Sequence, residues 1–145
     1  MKKKHYLVTG GSGFIGSAIV KRLVKAGNEV RVLDNDLRGA SERLKEVAHK
    51  IELVQADIRD AAAVQNACKG VDSVIHLAYL QGTQFFYTKP ELVLDIGVKG
   101  MANVIDGCIK ENVKEIAVAS SSEVYNMPPK IPTDETAPLM IPDPL

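Results

Sequence analysis

The stretch Val8-Thr9-Gly10-Gly11-Ser12-Gly13-Phe14-Ile15-Gly16 constrains this chain more than any other, because of what stands on either side of it. Before it, His5-Tyr6-Leu7-Val8 is a short run of strand formers. After it, Ala18, Ile19, Leu23 and Val24 recur at helical spacing up to Gly27-Asn28, a helix-ending pair. A second apolar run, Val30-Arg31-Val32-Leu33, ends in Asp34. Strand, glycine turn, helix, strand and acid form the setting in which a glycine-rich turn holds a dinucleotide. Gly10 makes the turn, Gly13 lets the backbone approach a pyrophosphate, and Gly16 lets the helix pack on the strand. The pyrophosphate is expected on the helix N-terminus, where unpaired N–H groups and the positive dipole end lie. Asp34 follows Gly16 by 18 residues and is placed to accept from adenosine ribose hydroxyls. The glycines alone fit both G-x-G-x-x-G and G-x-x-G-x-x-G and would also suit a tight turn with close helix packing. The flanking elements and Asp34 decide for the ligand.

The rest of the chain alternates in the same way. Strands are expected at 5–9, 30–34, 51–55, 73–77 and 115–120, with helices at 14–26, 40–48, 60–69 and 90–112. Such alternation implies parallel strands joined by right-handed helical crossovers, hence an α/β, Rossmann-type doubly wound sheet with helices on both faces. A chain of 145 residues makes one such domain. Its 18 basic and 18 acidic residues cancel, so no basic face invites nucleic acid. Lys2-Lys3-Lys4 reads as a solvated start, and no apolar run reaches membrane-spanning length. Cys68 and Cys108 lack metal-ligand spacing and read as buried thiols of a reducing compartment, so the protein is expected to be cytoplasmic and to hold no metal.

Five motifs in order carry a family resemblance over nearly the whole chain. Thr9-Gly10-Gly11-Ser12-Gly13-Phe14-Ile15-Gly16 resembles the cofactor loop of the extended short-chain dehydrogenase/reductases, closest to the NAD-dependent sugar epimerase/dehydratase group. Asp34-Asn35-Asp36-Leu37-Arg38-Gly39, Asp57-Ile58-Arg59-Asp60, His76-Leu77-Ala78 and Ser120-Ser121-Ser122-Glu123-Val124-Tyr125 are similar to that group's later signatures. The resemblance implies NAD as cofactor and a nucleotide-sugar as substrate. Asp34 favours NAD over NADP, since a carboxylate accepts from a ribose 2′-OH but repels a 2′-phosphate, although Arg38 could offer a phosphate partner. The resemblance also implies cofactor contacts from Phe14, Ile15, Asn35, Gly39, Leu77, Ala78, Tyr79 and Ser120.

By the same resemblance, Asp57 meets the adenine amino group and Ile58 packs near the ring; alternatively Asp57 or Asp60 caps the next helix. Tyr79 stands where the family usually has a second alanine, and a bulkier residue there narrows the pocket. His76 ends an apolar strand and reads as structural rather than as an acid or base. Gly97 stands where the family commonly has an asparagine that holds the active-site backbone and the cofactor ribose; glycine leaves that contact absent or made by water. Ser121 matches the catalytic serine or threonine that hydrogen-bonds the reacting substrate oxygen. Glu123 matches a position used for extra proton transfer in dehydratases and decarboxylases, and equally fits a polar strand end next to an N-capping serine.

Six of the seven prolines lie between Pro128 and Pro144, so residues 1–126 read as the NAD-binding domain and 127–145 as a crossing segment. In the resembled family a Tyr-x-x-x-Lys pair and a substrate lobe follow such a segment. No such pair exists here: Tyr6, Tyr79, Tyr87 and Tyr125 are followed four residues later by Gly10, Thr83, Glu91 and Pro129. The chain is therefore expected to be the cofactor-binding part of a nucleotide-sugar epimerase, inactive alone. The alternatives are a dehydratase or decarboxylase, and a non-catalytic NAD-binding regulatory module. Helix 90–112 carries two apolar stripes. Val93, Gly97, Gly100, Val104 and Cys108 suit the sheet, while Leu94, Val98, Met101, Ile105 and Ile109 are expected to pair across a homodimer axis.

Overall fold

The computed structural model describes residues 3–139; Lys2, Pro142 and Pro144 of the segments named above lie outside them. Five strands form one wholly parallel sheet in the order β3-β2-β1-β4-β5. They are β1 (His5–Thr9), β2 (Glu29–Asp34), β3 (Ile51–Gln55), β4 (Ser73–His76) and β5 (Glu115–Val118). The helices are α1 (Phe14–Lys25), α2 (Ala61–Cys68), α3 (Thr83–Thr88), α4 (Pro90–Leu94) and α5 (Gly100–Lys110). The chain winds outward from β1 through β2 to β3, then returns across β1 to lay down β4 and β5. The doubly wound Rossmann-type reading therefore holds, and the winding reverses between β1 and β4, where open α/β sheets bind ligands.

Strand residues face alternate sides, so neighbouring apolar residues serve different layers. Leu7, Leu33 and Val74 pack with Val64, Ala67 and Cys68 of α2 and Val104 and Cys108 of α5 on one face. Val8, Val30 and Val32 pack with Val20 of α1 and Leu44 on the other. Continuous apolar strands buried on both faces are what a parallel sheet requires. Gly27, at φ +83°, ends α1 as expected.

Three elements differ from the expectation. Residues Ser41–Lys50 form a 3-10 rather than an α-helix. Helix α3 is an addition; its Gln-Phe-Phe-Tyr core carries no helical apolar period. The expected helix 90–112 is α4 and α5 joined by a π-helical turn over Asp95–Lys99. Of its two stripes, Val93, Gly100, Val104 and Cys108 are buried, and Leu94, Val98, Ile105 and Ile109 are exposed. No helix among the described residues is long and apolar enough to cross a membrane.

Candidate functional site

The carboxyl ends of all five strands open onto one groove of about 820 Å³. Its floor is the turn after β1. Gly10 has φ +70°, and a Cβ there would stand 2.8 Å from the Ala78 backbone nitrogen, so only glycine lets this turn meet the end of β4. A Cβ on Gly16 would overlap the Gly10 carbonyl oxygen, which is how α1 comes down onto the turn. Gly13 is the N-cap of α1 and provides no side-chain acceptor. The first turn of α1 therefore reaches the groove at Gly13, Phe14, Ile15 and Gly16 without a capping side chain, an arrangement suited to an anion.

Past β2, Asp34 is buried. Its two oxygens accept from the backbone N–H groups of Ser12 and Asp36, each at 2.9 Å. Each oxygen keeps a further lone pair, so the carboxylate both braces the glycine turn and remains able to accept from a sugar hydroxyl. Asn35, Arg38 and Gly39 line the same side of the groove. Arg38 lies over the Phe85 ring at 5.9 Å, reaching toward α3.

Asp57 and Ile58 line the groove past β3. The Asp57 carboxylate accepts from Arg59 N and Nε through one oxygen, and from Asn35 Nδ2 and Arg59 Nη2 through the other. Chiefly these Arg59 bonds, with Asn35 adding to them, hold its pKa down at about 2. Four donors use the lone pairs of a carboxylate, so Asp57 is committed to the protein. Arg59 also donates to Asp95 at 2.9 Å and so ties this side of the groove to the π turn. Asp60, not Asp57, caps α2, accepting from Ala62 N and Ala63 N.

Past β4, Thr9 Oγ1 accepts from Leu77 N and Ala78 N and lies 2.7 Å from His76 Nδ1. With both lone pairs engaged, the hydroxyl must donate, which leaves Nδ1 an acceptor and the imidazole neutral. Burial lowers the His76 pKa, in agreement with that state. His76 is a brace for the strand end, as its sequence position suggests, while Leu77, Ala78 and Tyr79 line the groove. Past β5, Ser120, Ser121 and Glu123 line it too. Ser121 Oγ accepts from Glu123 N at 3.3 Å and so caps the short 3-10 turn Ser122–Tyr125. The hydroxyl proton stays free to donate into the groove.

Every residue nominated from the sequence thus lines this one groove. Leu33, Leu37, Arg43, Ala56, Leu80, Gln81, Phe86, Ile96 and Ala119 line it as well without having been nominated. Most of these sit beside a nominated residue and escape notice because apolar side chains at strand ends look like core. Phe86 arrives on the unforeseen α3. Cys68 and Cys108 are buried and unpaired, with burial pushing Cys68 up to about 12. No cluster of metal-ligating side chains is present among the described residues.

The sequence model of the NAD dependent epimerase/dehydratase family matches residues 6–144. A UDP-glucose 4-epimerase of Lactobacillus helveticus is 36% identical over 135 residues, covering 92% of this chain and 40% of that protein. A UDP-N-acetyl-alpha-D-glucosaminuronate decarboxylase of Bacillus cytotoxicus is 33% identical over 123 residues, covering 85% and 38%. The Thermus thermophilus UDP-glucose 4-epimerase, solved in complex with NAD, superposes with a TM-score of 0.83 at 31% identity, covering 94% of this chain and 44% of that one. The chain therefore spans about two fifths of the length of these relatives. Glycine turn, strand-end acids, serine-glutamate segment and parallel sheet come together in their sequence order, and the chain belongs to the NAD-dependent epimerase/dehydratase family.

Proposed function

We propose that this chain is the NAD-binding part of a nucleotide-sugar epimerase. One observation carries the reading: the uncapped α1 N-terminus, the half-engaged Asp34 and the Ser121 hydroxyl all face one continuous groove. The α1 amides would hold the pyrophosphate, and Asp34 the adenosine ribose. Because Asp57 is already saturated, the adenine would be gripped by apolar contact with Ile58 rather than by that carboxylate. Ser121 would donate a hydrogen bond to the substrate oxygen whose carbon changes oxidation state. NAD would supply the hydride acceptor and donor. The sugar-nucleotide assignment rests on the relatives' activities, and residues 1–126 as the NAD-binding domain, with 127–145 as a crossing segment, is part of the same proposal.

A dehydratase or decarboxylase is favoured by a different pair of observations: Glu123 lines the groove, and a decarboxylase is among the relatives. There Glu123 would move the additional proton. Buried free thiols support a cytoplasmic location. Because the chain holds no Tyr-x-x-x-Lys, it lacks the tyrosine base that the resembled family uses and should show no turnover by itself. Calorimetric titration of the chain with NAD and NADP tests the cofactor reading. NAD should bind more tightly than NADP; equal affinities, or no binding of either, would overturn it. Adding nucleotide-sugars tests the inactivity, and turnover of about 1 per second or faster would contradict it.

A further inference from the structure

We infer that Tyr79 is a positioning residue for the nicotinamide half of the dinucleotide, seated by Gly97; this rests on the NAD reading above. The π turn Asp95–Lys99 brings Gly97 face to face with the Tyr79 ring. A Cβ on Gly97 would stand 2.5 Å from Tyr79 Cε2 and 3.4 Å from Cδ2 and Cζ, so the ring occupies the space any other residue at 97 would need. The π turn is tied down on its other side by the Arg59–Asp95 pair, which fixes the seat. π turns inside α-helices cost hydrogen-bond geometry and gather at functional sites. A glycine within a helix is itself destabilising relative to alanine. The missing side chain at Gly97 is what admits the tyrosine ring against this turn.

The order of the sheet says which half of the ligand the ring meets. Asp34 lies past β2, on one side of the glycine turn, and takes the adenosine ribose. Tyr79 lies past β4, on the opposite side, directly after the Ala78 backbone that touches Gly10. With the pyrophosphate on the turn between them, the second ribose must run toward Tyr79. The ring is 48% exposed and lines the groove. Its face offers stacking area, and its hydroxyl is a hydrogen-bonding group for a ribose hydroxyl.

The test compares NAD with ADP, which has the adenosine half and the pyrophosphate but no second ribose. Affinities for both are measured by calorimetry in the chain and in Tyr79→Phe, Tyr79→Ala, Gly97→Ala and the Tyr79→Ala/Gly97→Ala double variant. Tyr79→Phe should weaken NAD about 3- to 10-fold, the range of one hydrogen bond, with ADP unchanged. Gly97→Ala should act on NAD in the same direction by displacing the ring, and should add nothing once Tyr79 is already alanine. Should Gly97→Ala fail to fold, Tyr79→Phe, which removes one oxygen, decides by itself. An NAD-to-ADP affinity ratio that stays at the wild-type value in the Tyr79 variants overturns this inference and leaves the NAD reading intact. A wild-type chain that binds neither ligand overturns both.

Discussion

The two wings of the sheet on either side of the glycine turn are built differently. On the β2–β3 side, the polar groups of the groove are engaged by the protein itself. Asp34 holds two backbone amides, Ser12 Oγ donates to Asp36, and Asp57 is locked between Asn35 and Arg59. The inner strands β2 and β4 are mostly buried and the edge strands β3 and β5 bury none of their residues, so the wings differ in their polar groups and not in strand burial. On the β4–β5 side, Ser120, Ser121 and Glu123 are exposed. Recognition of a nucleotide needs fixed acceptors and a rigid turn, and one wing supplies both from its own contacts. The groups of the other wing remain exposed at the groove. On the proposed function, cofactor binding and substrate contact fall on different wings, and substitutions should divide along the same line.

The sharpest division falls within the turn itself. Gly16 is glycine for the fold, because its Cβ would overlap a backbone oxygen of the protein. Gly13 is glycine for the groove: its φ of −67° suits any residue, and only the Gly10 oxygen, 3.1 Å from a built Cβ, lies near. Gly13→Val should abolish NAD binding, a loss of about 100-fold or more (roughly 2.7 kcal/mol), while the chain still melts cooperatively. Gly16→Ala should destabilise by about 3 kcal/mol, the upper range for an overpacked site. Thermal melts and NAD titrations of both variants settle the comparison. A Gly13→Val chain that binds NAD normally would break it.

Asp34→Ala tests the engaged wing. The change removes the acceptor of two backbone amides, each bond to a charged group being worth about 1.5–3 kcal/mol, so stability should fall by about 2 kcal/mol. NAD should weaken by about tenfold for the lost ribose bond, and the preference against NADP should shrink as the repelling charge goes. A variant that keeps the wild-type NAD preference would show that Asp34 serves the fold alone.

His76 lies on the boundary between the wings. Its folded-state pKa is depressed below the ordinary 6.5 by burial, so the unfolded chain takes up the proton first as pH falls. Its contribution to stability is complete above about pH 6.5 and is lost as pH drops from there toward the folded value. Melting temperature should therefore fall between pH 7 and pH 5 and recover on return, with a smaller fall in His76→Gln. Thr9→Val, which strands His76 Nδ1 and the Ala78 amide while Leu77 N keeps its bond to the Thr9 carbonyl oxygen, should cost about 1–3 kcal/mol at neutral pH. A melting temperature independent of pH across this window would show that His76 is not held neutral.

The central strands and the glycine turn are the legible part of the molecule. Runs such as His5-Tyr6-Leu7-Val8 and Val30-Arg31-Val32-Leu33 announce buried parallel strands, and the glycine spacing announces the turn. What escapes reading depends on distant partners. Nothing near Asp57 in sequence says that Asn35 will join Arg59 in saturating it. The π turn has no apolar period of its own, and its contacts reach back to Arg59 and to Tyr79, which lies 18 residues before Gly97. Helix α3 is polar and aromatic without a repeat, and its start at Gly82, with φ +136°, reflects a local turn rather than a cap signal.

The smallest effect on stability is expected on the outer face of α4 and α5. Leu94, Val98 and Ile109 are 63%, 67% and 69% exposed there, on the opposite side of the helix from the buried Val104 and Cys108. Apolar residues already in water lose little when replaced, so Val98→Glu with Met101→Lys should change monomer stability by less than about 0.5 kcal/mol. Self-association is where the change should register. An isologous pairing of this helix places each stripe against its copy, and two glutamates and two lysines at the centre of such a contact would be desolvated at high cost. Sedimentation at increasing concentration should show the wild-type chain passing from monomer to dimer and the double variant remaining a monomer. A wild-type chain that stays monomeric at every concentration would instead assign the stripe to some other cover, and the open wing would then extend across the back of the sheet as well as along its edge.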